Sequence, residues 1–121
     1  MANLVIYGIA NCDSVRKARA FLQQHQLDYQ FHDFKKVGIA RSDLQKWLQL
    51  CSSSELINQK SRTWRTLSNE EQDLLKQVPL SDEALNLLQA QPTLLKRPLL
   101  IQQDRLLLGF NEAEYLQLVK T

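Results

Sequence analysis

Leu4-Val-Ile-Tyr-Gly-Ile-Ala-Asn-Cys-Asp-Ser-Val-Arg-Lys-Ala18 is the stretch whose reading decides the fold. Its apolar run, residues 4–7, predicts a buried strand. Residues 8–11 read as a loop, and a helix is predicted over 13–24 with Asn11 or Ser14 as its cap. Val15, Ala18 and Leu22 fall on one face of that helix, and Phe21 widens the face. Cys12 stands where the loop meets the helix. A thiol there faces the unpaired backbone N–H groups of a helix N-terminus, which favour thiolate over thiol.

Working outward, residues 29–34 alternate aromatic and polar side chains, and predict a second strand running out into a loop. Strand, helix, strand implies a parallel βαβ unit with a right-handed crossover. The chain then changes character. Leu44, Trp47, Leu48 and Cys51 recur at helical spacing over 41–50, with Ser42 as a plausible cap, and Ser52-Ser53-Ser54 reads as a break. Ser68 and Glu71 have the spacing of a capping box. The helix they open is expected to bury Leu74, Leu75 and Val78 and to end at Pro79. Ser81 caps a further helix to Ala90, packed through Ala84, Leu85, Leu87 and Leu88 and stopped by Pro92. No strand is expected between 40 and 92. Beyond it, residues 99–101 and 105–108 predict a β-hairpin around a turn at 102–104. Gly109 breaks it, and Asn111 caps a last helix carrying Ala113, Tyr115, Leu116 and Val119. The division expected is a sheet core of 1–39 and 93–121 with an all-helical insert, 40–92.

The length, 121 residues, suits one domain with an ordinary core, given a hydrophobic fraction of 44%. A net charge of +2 gives no reason to expect direct binding of nucleic acid. No apolar run reaches the ~20 residues of a membrane span. Met1-Ala-Asn-Leu4 does not open a secretory signal. A cytoplasmic protein without a membrane partner is therefore expected. Two cysteines, Cys12 and Cys51, make neither a disulfide framework nor a set of metal ligands. His25 and His32 lack ligand spacing to either, so no metal site is expected.

Five stretches taken in order carry a resemblance: Tyr7-Gly-Ile-Ala-Asn-Cys-Asp-Ser-Val-Arg-Lys-Ala18, Phe31-His-Asp-Phe-Lys35, Arg62-Thr-Trp-Arg65, Lys96-Arg-Pro-Leu99 and Gly109-Phe-Asn-Glu112. Together they resemble the arsenate reductase-like (ArsC/Spx/MgsR) family, and within it the small YffB-type proteins. The resemblance spans nearly the whole chain. It implies an α/β, thioredoxin/glutaredoxin-like fold with a four-stranded mixed sheet and an inserted helical subdomain. It also implies an active cysteine at Cys12, faced by a cis-proline at Pro98, with Arg97 helping to bind an oxyanion. Three activities occur in the family as the resemblance presents it. They are arsenate reduction with glutathione and glutaredoxin, redox-responsive regulation through RNA polymerase, and, for the YffB type, glutathione-dependent thiol reduction.

The residues themselves narrow these. Val15 stands three after Cys12, so a Cys-x-x-Cys dithiol is absent, and turnover needs an external thiol or a nearby Cys51. Cys51 follows Trp47 and Leu48 at helical spacing, which favours packing. Arg16, one helical turn after Cys12, suits support of a thiolate or an incoming anion, or a plain surface position. Asp13 opposes a thiolate by its charge but suits a helix start. Asp13 and Ser14 bring backbone N–H groups that could hold a carboxylate or oxyanion. Arg97 offers a planar fork for such a group, while Pro98 also fits the first position of a strand. Lys60, Arg62 and Arg65 surround Trp64 as a glutathione or substrate rim, or as a solvated loop. Of the three arginines that surround the cysteine in arsenate reduction, only Arg97 matches. Asn58-Gln59-Lys60 and Leu107-Leu108-Gly109 hold none, and Gly8 replaces an assisting histidine.

The reading reached is a monothiol oxidoreductase. Cys12 and Arg97 act at the reacting sulfur. Asp13, Ser14, Arg16, Lys60, Arg62, Arg97 and Pro98 contact substrate or glutathione. No cofactor is held. Glutathione is the co-substrate, glutaredoxin a further partner, and a monomer the expected state. The alternatives are an RNA polymerase-binding regulator of the Spx/MgsR kind and an arsenate reductase.

Overall fold

The computed structural model describes residues 4–119. Met1, Ala2 and Asn3, on which most of the N-terminal reading rests, lie outside the described residues. In chain order the elements are β1 (Leu4–Gly8), α1 (Asp13–Gln24), β2 (Tyr29–Asp33), α2 (Phe34–Val37), α3 (Arg41–Leu50), α4 (Ser53–Leu56), α5 (Arg62–Thr66), α6 (Asn69–Lys76), α7 (Asp82–Ala90), a 3₁₀ turn (Pro92–Leu94), β3 (Leu99–Gln102), β4 (Arg105–Leu108) and α8 (Glu112–Val119). Contacts divide the chain into two compact units, with boundaries after Val37 and after Lys96.

The first unit is built on a four-stranded sheet in the order β2-β1-β3-β4. β1 lies parallel to β2 and antiparallel to β3, and β3 pairs with β4 as a hairpin. This is the thioredoxin-like arrangement. The alternation of β1 buries Leu4 and Ile6 on one face. Ala18, Phe21 and Leu22 of α1 and Tyr115 and Leu118 of α8 pack with them and with Leu100. Full burial of a side chain of that size stabilises by roughly 1.5–3 kcal/mol. Asn111 opens α8 twice over: its Oδ1 accepts from Glu114 N–H at 3.1 Å, and its carbonyl accepts from Tyr115 N–H at 3.0 Å. α8 turns a different face inward from the one its apolar residues suggest. Tyr115 and Leu118 are buried, while Leu116 and Val119 stay exposed.

The second unit, 38–96, is helical among the described residues. Its nearest approach to a strand is a bridge between Ile57 and Leu95. Residues 38–39 and 93–96, read from sequence with the sheet core, belong here. Asn58 N–H donates to the Leu94 carbonyl at 2.8 Å, and Lys96 N–H to the Leu56 carbonyl at 2.9 Å. The capping box at Ser68 and Glu71 forms, and Ser81 caps α7. The break expected at Ser52-Ser53-Ser54 is confined to Cys51 and Ser52, because Ser53 and Ser54 already belong to α4. Ser52 and Glu55 form a second capping box that starts α4, a Ser-x-x-Glu signal present in the sequence. Ala40, not Ser42, is the N-cap of α3. α6 stops at Lys76, before Pro79, so Val78 leaves the helical phase and is 83% exposed rather than buried. Pro92 begins the 3₁₀ turn, where its missing N–H costs nothing.

Tyr115 is fully buried, edge-on to Phe21 and Phe110. Its hydroxyl meets no hydrogen-bonding group among the described residues. Burial, with a smaller push from Glu114, drives its ionisation far above the usual range. Replacing both the hydroxyl and its desolvation cost with a C–H should be nearly neutral or stabilising. Tyr115→Phe should therefore leave the urea midpoint unchanged or raise stability by up to about 1 kcal/mol. Tyr115→Ala, which removes the ring, should lower stability by about 3–5 kcal/mol.

Candidate active site

Cys12 is itself the N-cap of α1, in place of the expected Asn11 or Ser14. Its backbone is extended (φ −94°, ψ 129°), and its side chain caps no N–H among the described residues. The first helical hydrogen bond runs from Arg16 N–H to the Cys12 carbonyl at 2.9 Å. The thiol is thus left available beside the first turn of a helix of 12 residues. Cys12 N–H donates to the Ile9 carbonyl at 3.3 Å, which closes the loop into a tight turn directly after β1. Cys12 is half-buried, and both cysteines are free.

Register fixes what lies at that end of the sheet. Tyr7 pairs with Leu99, so Gly8 and Pro98 are the next residues outward on adjacent strands. Leu99 also pairs with Leu108, and Gly109 N–H donates to the Pro98 carbonyl at 2.8 Å. Gly109 does so with φ +73°, a conformation that disfavours any side chain. On the other side Gly8 pairs with Asp33. The carboxyl ends of β1, β2 and β4 and the amino end of β3 therefore meet where the Cys12 loop leaves the sheet. The Arg97–Pro98 peptide is cis, Pro98 is buried, and Arg97 is half-buried with its Nε withdrawn from solvent.

The other sequence candidates fall as follows. Asp13 and Ser14 open α1 and are exposed. Arg16 is exposed too, and folds back over the first turn. Its guanidinium donates to Asp13 Oδ1 at 2.8 Å and to the Asn11 carbonyl at 3.2 Å. That pair offsets the Asp13 charge beside Cys12, although an exposed ion pair adds at most about 1 kcal/mol of stability. Lys60 and Arg62 are exposed in the helical unit, around α5, with Trp64 buried as its anchor. Arg62 begins a short helix capped by Ser61, where a loop is read from sequence. No group of three or more His, Cys, Asp or Glu among the described residues could hold a metal. No helix among them is long and apolar enough to cross a membrane. Sequence reading overlooked Gly109 as a holder of Pro98, because that bond joins residues brought together only by the hairpin.

Cys51 caps the C-terminus of α3 and opens on a cleft of about 490 Å³ beside Leu48, Val78 and Pro79. Burial first, then the Glu55 charge, pushes its thiol above the ordinary value, and Lys96 partly opposes this. Glu55 in turn is held below the usual carboxylate range by the hydrogen bonds from Ser52 N–H and its hydroxyl.

The chain belongs to the ArsC family, whose model it matches over residues 7–118. It is 36% identical over 112 residues to an uncharacterised Haemophilus influenzae protein, covering 93% of this chain and 95% of that one. It is 31% identical to a protein named global transcriptional regulator Spx from Lactiplantibacillus plantarum, covering 92% of this chain and 82% of the relative. Among solved structures it is similar to a YffB protein with a TM-score of 0.84 and 36% identity, over 95% of this chain and 97% of that one. The resemblance read from the five motifs is thereby borne out at the level of family and fold.

A raised thiol pKa leaves less thiolate at neutral pH, so Cys51 should react slowly at pH 7 and accelerate only above the ordinary thiol range near 8.5. In a Cys12→Ser background, Glu55→Gln keeps a capping box but removes the charge. Iodoacetamide labelling of Cys51 at pH 7, followed by mass spectrometry, should then be roughly twofold or more faster, the scale of one partly screened charge.

Proposed function

We propose that this protein is a monothiol oxidoreductase that reduces glutathione mixed disulfides or related oxidised thiols. The observation that carries the reading is Cys12 as an N-cap whose sulfur caps nothing among the described residues, at the sheet end that also holds Arg97 and Pro98. Cys12 attacks the glutathione sulfur of a substrate disulfide. A bond forms between Cys12 Sγ and that sulfur, and the substrate thiolate leaves and takes a proton. A second glutathione thiolate then attacks the Cys12 mixed disulfide, releasing oxidised glutathione and restoring the Cys12 thiolate. Val15 at the third position after Cys12 leaves no neighbouring thiol on the helix to resolve the intermediate, so the second sulfur comes from outside.

Arg97 supplies charge for a glutathione carboxylate, and the first N–H groups of α1, at Asp13 and Ser14, offer donors to the same kind of group. Arg16, already tied to Asp13, is assigned to steadying that turn. Lys60 and Arg62 are exposed cations of the helical unit and are assigned only a general attraction for an anionic co-substrate. The fold seen in the ArsC family supports the thiol chemistry. The missing arginines at 58–60 and 107–109 weigh against arsenate as the oxidant.

Cys12→Ser should abolish glutathione-dependent reduction of a glutathionylated peptide, whereas Cys51→Ser should retain it. Arg97→Ala should raise the KM for that peptide about 10- to 150-fold, the equivalent of one charge-assisted hydrogen bond, ~1.5–3 kcal/mol. Full activity in Cys12→Ser would overturn the reading. The likeness to a protein named Spx favours one second reading, a regulator that binds RNA polymerase. Stoichiometric recovery of polymerase subunits with the purified chain, together with an inert Cys12, would support it instead.

A further inference from the structure

We infer that Gly8 and Val15 form a positioning contact that seats Cys12. The inference rests on the reading of Cys12 as a reactive thiol and says what holds it in place. Gly8 is the last residue of β1 and is buried. A Cβ built on it would lie 2.6 Å from Val15 Cγ2 and 3.5 Å from Cγ1. Ordinary contact begins at 3.4 Å, so Val15 would have to retreat by about 0.8 Å.

Val15 has little freedom to do so. It is fully buried, with 0% exposure, and a β-branched side chain in a helix is held to one rotamer. It is also the first buried residue of α1 and follows Cys12 by three positions, nearly one helical turn. Only residues 9–11 separate β1 from Cys12, and the Ile9–Cys12 hydrogen bond ties them. Strand end, tight turn and first helical turn thus form one short closed loop, with Gly8 and Val15 pressed together across it and Cys12 between them in sequence. A side chain at position 8 is relieved by moving the first turn of α1, and Cys12, the N-cap of that turn, moves with it. Gly8 has an ordinary backbone conformation here, in contrast to Gly38 and Gly109 with their positive φ. Its lack of a side chain is a requirement of space.

The test uses the whole chain in a Cys51→Ser background and reads iodoacetamide alkylation of Cys12 at pH 7, with folding checked by circular dichroism. This reagent needs no glutathione, so the test remains readable if the proposed co-substrate proves wrong. Gly8→Ala should slow alkylation about tenfold or more, since displacements of about 1 Å are costly to aligned groups. Gly8→Ala combined with Val15→Ala restores the space, and should fold and alkylate within about threefold of the parent. Alkylation of folded Gly8→Ala at the parent rate would overturn the inference. If Gly8→Ala does not fold, the double variant decides: parent-like reactivity supports the contact, and an unfolded or slow double variant overturns it.

Discussion

β1 is hydrogen-bonded on both sides, parallel to β2 and antiparallel to β3, and the rest of the sheet unit depends on that double pairing. The parallel partner requires a crossover, which α1 supplies. Because α1 must begin within a few residues of the strand's end, its N-terminus lands at the sheet's edge with Cys12 as its cap. The antiparallel partner runs the other way and brings its first residues, preceded by Arg97–Pro98, to the same edge. A one-residue slip of β1 would turn Leu4 and Ile6, which are buried, to the less covered face now held by Val5 and Tyr7, so the register of β1 is held by its alternation.

The chemistry placed at that edge is spare. It has one sulfur, one half-buried guanidinium, a buried proline and the donors of a helix start. Arg16, which suits an anion-binding role in isolation, is already engaged by Asp13 and the Asn11 carbonyl. Cys51 belongs to a contrasting environment. Burial and a neighbouring carboxylate keep it protonated, as fits a cysteine that packs rather than reacts. The two free cysteines thus differ in their surroundings.

Local signals in the helical unit were mostly sufficient where side chains act within four residues of themselves. The Ser68–Glu71 box and the Ser81 cap follow from short-range hydrogen bonding. Patterning misled where an element's length was in question. Val78 continues the apolar period of α6, yet the helix ends at Lys76 and leaves it in solvent. Residues 93–96 likewise carry no local signal that separates them from the sheet, since nothing along the chain reveals that Leu94 and Leu95 pair with Asn58 and Ile57.

By itself the sequence determined the order of the four strands, α1, α3, α6, α7 and α8, the helix limits of α1, the hairpin, the family and the candidacy of Cys12, Arg97 and Pro98, but not the short helices α2, α4 and α5. All of these rest on periodicity, turn residues or motifs read along the chain. Tertiary structure alone decided that Cys12 is the cap, that Gly109 holds Pro98, and that Gly8 has no room for a side chain beside Val15. Each of these depends on distances of a few tenths of an ångström between groups whose approach is set by sheet register and core packing. No pattern along one chain encodes such distances.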